Sequence, residues 1–228
     1  MLFRSTLPRE VLADRAAVPP DQHFDAERYG PVRLGGIDEA RAALIAERLI
    51  HATHPVLITS YLGRKAEAVQ ALEELALLCG LRVVDTMPTT LGISRMSPCF
   101  AGFDPSAVLP QADVGLLVDV DVPWLPKFVK PDPDTWWAHI DVDPLKDDWP
   151  MWGFATHLRI QADAATVLRQ IAAAVRARAD DVFRARVADR LKALEAARQS
   201  RLEAYARQAA HPGKPGALSA AHVDRKSH

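Results

Sequence analysis

Little in this chain points at the common chemistries, and each gap narrows the choice. Only two cysteines occur among 228 residues, Cys79 and Cys99. They make neither a CxxC pair nor a disulfide framework, so they read as two reduced thiols of a cytoplasmic protein. The formal net charge is −1, which gives no electrostatic case for nucleic acid or an anionic membrane as partner. No apolar run approaches the ~20 residues of a membrane span. The opening MLFRSTLPRE lacks the apolar core of a signal peptide. HExxH, a Walker loop, a kinase signature and GxGxxG are all missing. GISRM (92–96) has a single glycine, so it is not a nucleophile elbow. The eight histidines are scattered, and His139 reads as a structural residue of a strand.

What is present is an ordinary globular composition, 49% hydrophobic and 25% charged. Residues 13–36 are polar and rich in Pro and Gly, a linker. After Gly36 a regular alternation begins. Helical spacing runs through residues 37–52, 64–79 and 164–179, with Gly80 suited to the left-handed position after a helix and Asp163 to an N-cap. Apolar strand-like runs fill 55–61, 81–86, 113–123, 136–144 and 156–163. Strands that are apolar throughout and alternate with helices predict an α/β domain over residues 37–178. Its centre is a doubly wound, Rossmann-like parallel sheet of five or six strands with helices on both faces. Residues 179–209 read as a charged helical extension, solvated or packed on a partner, and 210–228 as a disordered tail.

Three strands end alike. VVDTMP (83–88), VDVDVP (118–123) and HIDVDP (139–144) each run from apolar residues into Asp and then Pro. The carboxyl ends of parallel strands line the crevice where ligands bind, so Asp85, Asp119, Asp121, Asp141 and Asp143 are candidates for one rim. Such acids accept hydrogen bonds from ribose hydroxyls or hold Mg²⁺ through oxygen. Asp143, before Pro144, also fits an N-cap or turn former, which leaves Asp141 as the better ribose contact. Asp119 and Asp121 stand between loop structure and ligand contact. In SYLGRK (60–65), Arg64 and Lys65 begin a helix, where they either meet an anion or extend into solvent. The five tryptophans, Trp124, Trp136, Trp137, Trp149 and Trp152, cluster after strand ends and predict packing against a neighbouring domain.

The order PVLITSYLGRK, LRVVDTMPTTLG, QADVGLLVDVDVPW, WWAHIDVDPLK resembles the central domain of thiamine-diphosphate-dependent enzymes. The likeness is to the acetolactate synthase and 2-oxo-acid decarboxylase group. STLPREVL (5–12) is similar to the end of that family's preceding, pyrimidine-binding domain, which makes residues 1–12 its remnant. The resemblance implies thiamine diphosphate and Mg²⁺ as family cofactors and C–C bond chemistry next to a 2-oxo-acid carbonyl. It also implies that this chain holds neither half of the active site. The family's activating Glu belongs to the earlier domain, and its GDG…N metal motif has no counterpart, because no Gly-Asp dipeptide occurs here. The chain is then a truncated or split member, inactive alone, that contributes a scaffold to a homo-oligomer or to separate catalytic domains.

Some relatives bind FAD or ADP in this domain. The matching positions are Ser60, Tyr61, Gly63, Arg64, Thr86, Gly92, Asp119, Asp121, Asp141, Val142, Asp143 and Asp163. TSYLGRK replaces the Gly-rich loop of the synthases, which speaks against close approach by a diphosphate. A free-standing nucleotide-binding module and a purely structural oligomerisation domain are the alternatives.

Overall fold

The computed structural model describes residue 13, residues 25–149 and residues 153–210. The expected domain remnant at 1–12, most of the linker and the expected tail after 210 lie outside the described residues. A one-turn helix α1 (Ala26–Tyr29) is capped by Asp25. Helix α2 (Glu39–His51) starts at Asp38, whose side chain accepts from the Arg41 N–H. Then come β1 (Val56–Thr59), α3 (Ala66–Cys79) and β2 (Arg82–Asp85). Gly80 closes α3 at φ 61, as its position predicts. After β3 (Phe100–Gly102), β4 (Val114–Val118), β5 (Trp136–Asp141) and β6 (Leu158–Gln161), α4 (Ala164–Arg178) begins on the Asp163 cap. The chain continues as α5 (Asp181–Ala210).

All six strands are parallel, in the order β3-β2-β1-β4-β5-β6. The order reverses between β1 and β4, which creates a crevice at their carboxyl ends. The fold class is the expected α/β one, but its cover is not symmetric. Leu57, Val83, Leu116, Ala138 and Ile140 form one core with residues of α2, α3 and α4. Val56, Ile58, Val84, Leu117 and Trp137 form a second core on the opposite face with Val108, Leu109, Trp124 and Phe154. Short 3₁₀ turns (Pro105–Ala107, Leu109–Gln111) and loops cover that face, where sequence alternation predicts helices. The connections before β4, β5 and β6 hold no α-helix among the described residues.

Three of the tryptophans are therefore internal, not interfacial. Trp124 lies 5.2 Å from Trp137 and 5.0 Å from Phe154, centroid to centroid. Trp136 is buried and stacks on His157. Only Trp149 is substantially exposed, and Trp152 lies outside the described residues. The loop-covered face lacks helices to fill it, so large aromatic side chains supply the apolar area.

Helix α5 packs through Phe183 and Val187, with Leu191 and Leu194 beside the same core. Its arginines reach the carbonyls that α2 leaves open, Arg186 at Ile50 and Arg190 at Ala52, the latter at 3.1 Å. Both cysteines are free and buried, and burial pushes their thiols up to about 12.

Candidate functional site at the carboxyl edge of the sheet

The ends of β1, β2, β4 and β5 meet where the strand order reverses. Two residues there leave the strand conformation early, Met87 at φ 42 and Asp119 at φ 48. Lys146, beyond β5, does the same at φ 54. Such left-handed geometry costs a non-glycine residue about 1 kcal/mol or more. Asp119 ends β4 at Val118, several residues before the sequence predicts. Its carbonyl accepts the N–H groups of Ser60 and Tyr61, each at 3.1 Å, and so ties the β4 turn to the loop after β1.

Of the five candidate acids, Asp119, Asp121 and Asp141 each meet a cation of the same chain, while Asp85 and Asp143 accept backbone N–H groups. Asp141 is fully buried, and its Oδ2 accepts from the Tyr61 hydroxyl at 2.7 Å. Lys146 Nζ donates to the Tyr61 oxygen at 2.9 Å and pairs with Asp121 at 2.7 Å and Asp141 at 3.3 Å. His139 Nε2 stands 3.5 Å from Asp141 Oδ2. Arg64 pairs with Asp119 at 3.0 Å and lies over the Tyr61 ring. Lys65 pairs with Asp163, whose other oxygen caps α4 through the Thr166 N–H at 2.9 Å.

Burial works to raise the Asp141 carboxyl. Hydrogen bonds from His139, the Asp143 N–H and Tyr61, with the Lys146 charge, outweigh it and hold the group below the usual carboxylate range. Burial likewise opposes Lys65 and Thr166 at Asp163, and again the partners prevail. At Asp119 burial wins over Arg64 and lifts the carboxyl to about 7. Burial between carboxylates raises the Tyr61 hydroxyl far above its ordinary range, so it stays protonated.

The remaining expected positions serve the chain itself. A Cβ at Gly63 would lie 1.9 Å from the Leu91 carbonyl oxygen. The close approach that glycine permits there is to backbone, not to a phosphate. Gly92 donates its N–H to Asp85 at 3.1 Å and leaves no room for a Cβ beside Thr59 and Asp85. Ser60 Oγ donates to the Met87 carbonyl, and the Thr86 N–H to that of Thr59. Val142 offers its carbonyl to Gln161. Asp143 is exposed and accepts the Lys146 N–H at 3.3 Å. It forms a turn, as expected, but caps no helix, because none follows Pro144 among the described residues.

Sequence reasoning missed Lys146. Its signal was indirect: five acids at strand ends need a buried counter-charge, and DPLK supplies a lysine beside them. Around the network the loops expose Met87, Leu91, Leu125, Phe128 and Leu145. A cavity of about 290 Å³ opens there between Thr86, Phe103, Val122, Trp124 and Phe128.

No protein-family model matches the sequence, and no curated protein matches it either. Among solved structures, one with this fold is a candidate thiamin diphosphate-dependent enzyme from Mycobacterium smegmatis, at 23% identity and a TM-score of 0.51. The match covers 64% of this chain and 29% of that one, so the chain spans less than a third of that protein's length. The likeness is one of fold: a parallel α/β domain of the kind found within a larger protein.

Proposed function

We propose that this chain acts as the central support domain of a thiamine-diphosphate-dependent enzyme of the acetolactate synthase and 2-oxo-acid decarboxylase group. The observation that carries this reading is the internal pairing at the carboxyl edge. Lys146, Arg64 and Lys65 engage Asp121, Asp141, Asp119 and Asp163, which leaves a held scaffold where a catalytic edge would keep groups open. The residues do not fit the cofactor either. Among the described residues no three of His, Cys, Asp or Glu stand together to hold a metal ion, and the sequence has no Gly-Asp dipeptide. The groups that bind thiamine diphosphate and Mg²⁺ belong, on this reading, to other domains. When bound there, the cofactor supplies the carbanion chemistry next to a 2-oxo-acid carbonyl.

The apolar rim of Met87, Leu91, Leu125, Phe128 and Leu145 supports docking of this edge against a catalytic domain or a second copy. The same pairing disfavours FAD or ADP. A diphosphate at Gly63 would meet Leu91, and a ribose at Asp141 would compete with Tyr61 and Lys146.

Purified protein supplied with pyruvate, thiamine diphosphate and Mg²⁺ should show no turnover above a cofactor-free blank. Turnover would overturn the scaffold reading. Calorimetry with FAD and ADP should show no binding at millimolar ligand, and a saturable isotherm would restore the nucleotide module.

A further inference from the structure

The opposite edge of the sheet carries an arrangement that the scaffold reading does not use. Arg82 begins β2, and Arg186 and Arg190 lie one turn apart on α5. Together with Pro55, Asp189, Ala193 and Leu194, they line a cavity of about 660 Å³. That is the size of a small-molecule site.

Arg186 and Arg190 are only partly satisfied, and each is fixed to the protein through one nitrogen. Arg82 is fixed through two, the second donating to Gln111 Oε1 at 3.5 Å. Arg82 Nη2 donates to the His54 carbonyl at 3.1 Å, Arg190 Nη1 to Ala52 at 3.1 Å, and Arg186 Nη2 to Ile50. These bonds set the direction of each planar group. Arg186 Nε, Arg190 Nε and Arg190 Nη2 are buried with no hydrogen-bond partner among the described residues. Unmet buried donors are uncommon, and charged ones are the most costly.

Counter-charge is scarce. Asp113 stands near, but its two oxygens already accept the N–H groups of Thr53 and His54, at 2.5 and 2.9 Å. Asp189 is exposed and pairs with Lys192. Burial first, then the neighbouring Arg186, pulls Arg190 below its ordinary range, with Asp113 acting against them.

We propose that this cavity binds a phosphate-bearing small molecule, with the phosphate received by Arg82, Arg186 and Arg190 and the organic body against Pro55, Ala193 and Leu194. Guanidinium groups match the planar geometry of oxyanions in pairs of hydrogen bonds. Charge decides between oxyanions. Three cations face the charge of Asp113 and an Asp189 already paired with Lys192, and the surplus is one that a dianionic phosphate neutralises and a single carboxylate does not.

The test is calorimetric titration of the full chain with inorganic phosphate and with pyrophosphate, in chloride buffer at fixed ionic strength. Acetate serves as the carboxylate probe. Saturable binding of phosphate or pyrophosphate, tighter than acetate, is expected. Arg190→Gln and Arg82→Gln should each weaken it by about tenfold or more, while Lys127→Gln, an exposed position beyond β4 at the other edge of the sheet, leaves it unchanged. If Arg190→Gln does not fold, Arg186→Gln takes its place in the same titration. Absence of saturable heat with the unaltered chain would overturn the site. Acetate binding as tightly as phosphate would overturn the assignment of ligand. Equal affinity in the arginine variants would overturn the location. None of these outcomes bears on the turnover assay above, so the two readings fail separately.

Discussion

The two edges of the sheet handle charge in opposite ways. At the carboxyl edge, Asp119, Asp121, Asp141 and Asp163 each meet a cation, and Tyr61 joins two of them through one hydroxyl. At the amino edge, three arginines line one cavity, and Arg186 and Arg190 keep buried N–H groups with no acceptor among the described residues. A row of acids at the ends of parallel strands does not by itself make a binding site. What matters is whether the charges remain in surplus once the chain has folded.

The sharpest way to break this contrast is to remove the buried cation. Lys146→Met would leave Asp141 without its positive partner in a fully buried position. Loss of one member of a buried pair costs about 3–5 kcal/mol. Urea unfolding should show a correspondingly lower midpoint at unchanged slope. A loss under about 1 kcal/mol would mean that the network is not what holds this edge.

A titration sharpens the contrast next, because arginines do not change charge below pH 7. Asp119 keeps its proton up to about 7 in the folded chain and releases it near 4 when unfolded. The folded state therefore binds more protons between those values, and stability falls as pH rises from about 4 to about 7. Asp141 and Asp163 act in the other sense. Their folded values are depressed, so the stability they give is present above about 4 and lost in acid. Urea midpoints across pH 4–7 should fall by roughly 1 kcal/mol or more in stability for the parent chain. They should be flatter in Asp119→Asn. An equal slope in both proteins would place the titration elsewhere.

The smallest effect is expected at the other edge. Arg190→Met gives up one hydrogen bond to Ala52 and relieves repulsion from Arg186 and Arg82. In phosphate-free buffer its stability should stay within about 1 kcal/mol of the parent by urea unfolding. A loss matching that of Lys146→Met would erase the distinction between the edges.

Local features were legible in the sequence. Gly80 after α3 and Asp163 before α4 act through neighbours a few residues away, and both stand where their types predict. The parallel sheet was legible because its central strands β1 and β4 are almost wholly apolar and buried. Strand β3 was not, since three residues carry no period and Gly102 turns away at φ 108. The aromatic loops misled for a physical reason: Trp124 and Trp137 suit an interface or a core equally, and only the missing helices on that face decide for the core. Of the candidate site, sequence reached the convergence of the acids but not their partners. Arg64 and Asp119, or Tyr61 and Lys146, are distant in sequence, and pairing across such distances leaves no pattern along the chain.

The clasp at the start of the domain has a mechanical consequence. Gln170 on α4 holds both backbone groups of Ile37, at 2.8 and 2.9 Å, and the Gly35 carbonyl accepts the Asp163 N–H just past β6. At the far side, Arg201 of α5 grips the Phe100 carbonyl on β3. Strands β6 and β3 are the two outermost of the sheet. The polypeptide thus arrives along one flank and departs along the other, roughly 24 Å apart at the usual spacing of strands. Bodies tethered to the two ends would be kept apart as by a strut, and a pull between them would load the sheet across its hydrogen bonds.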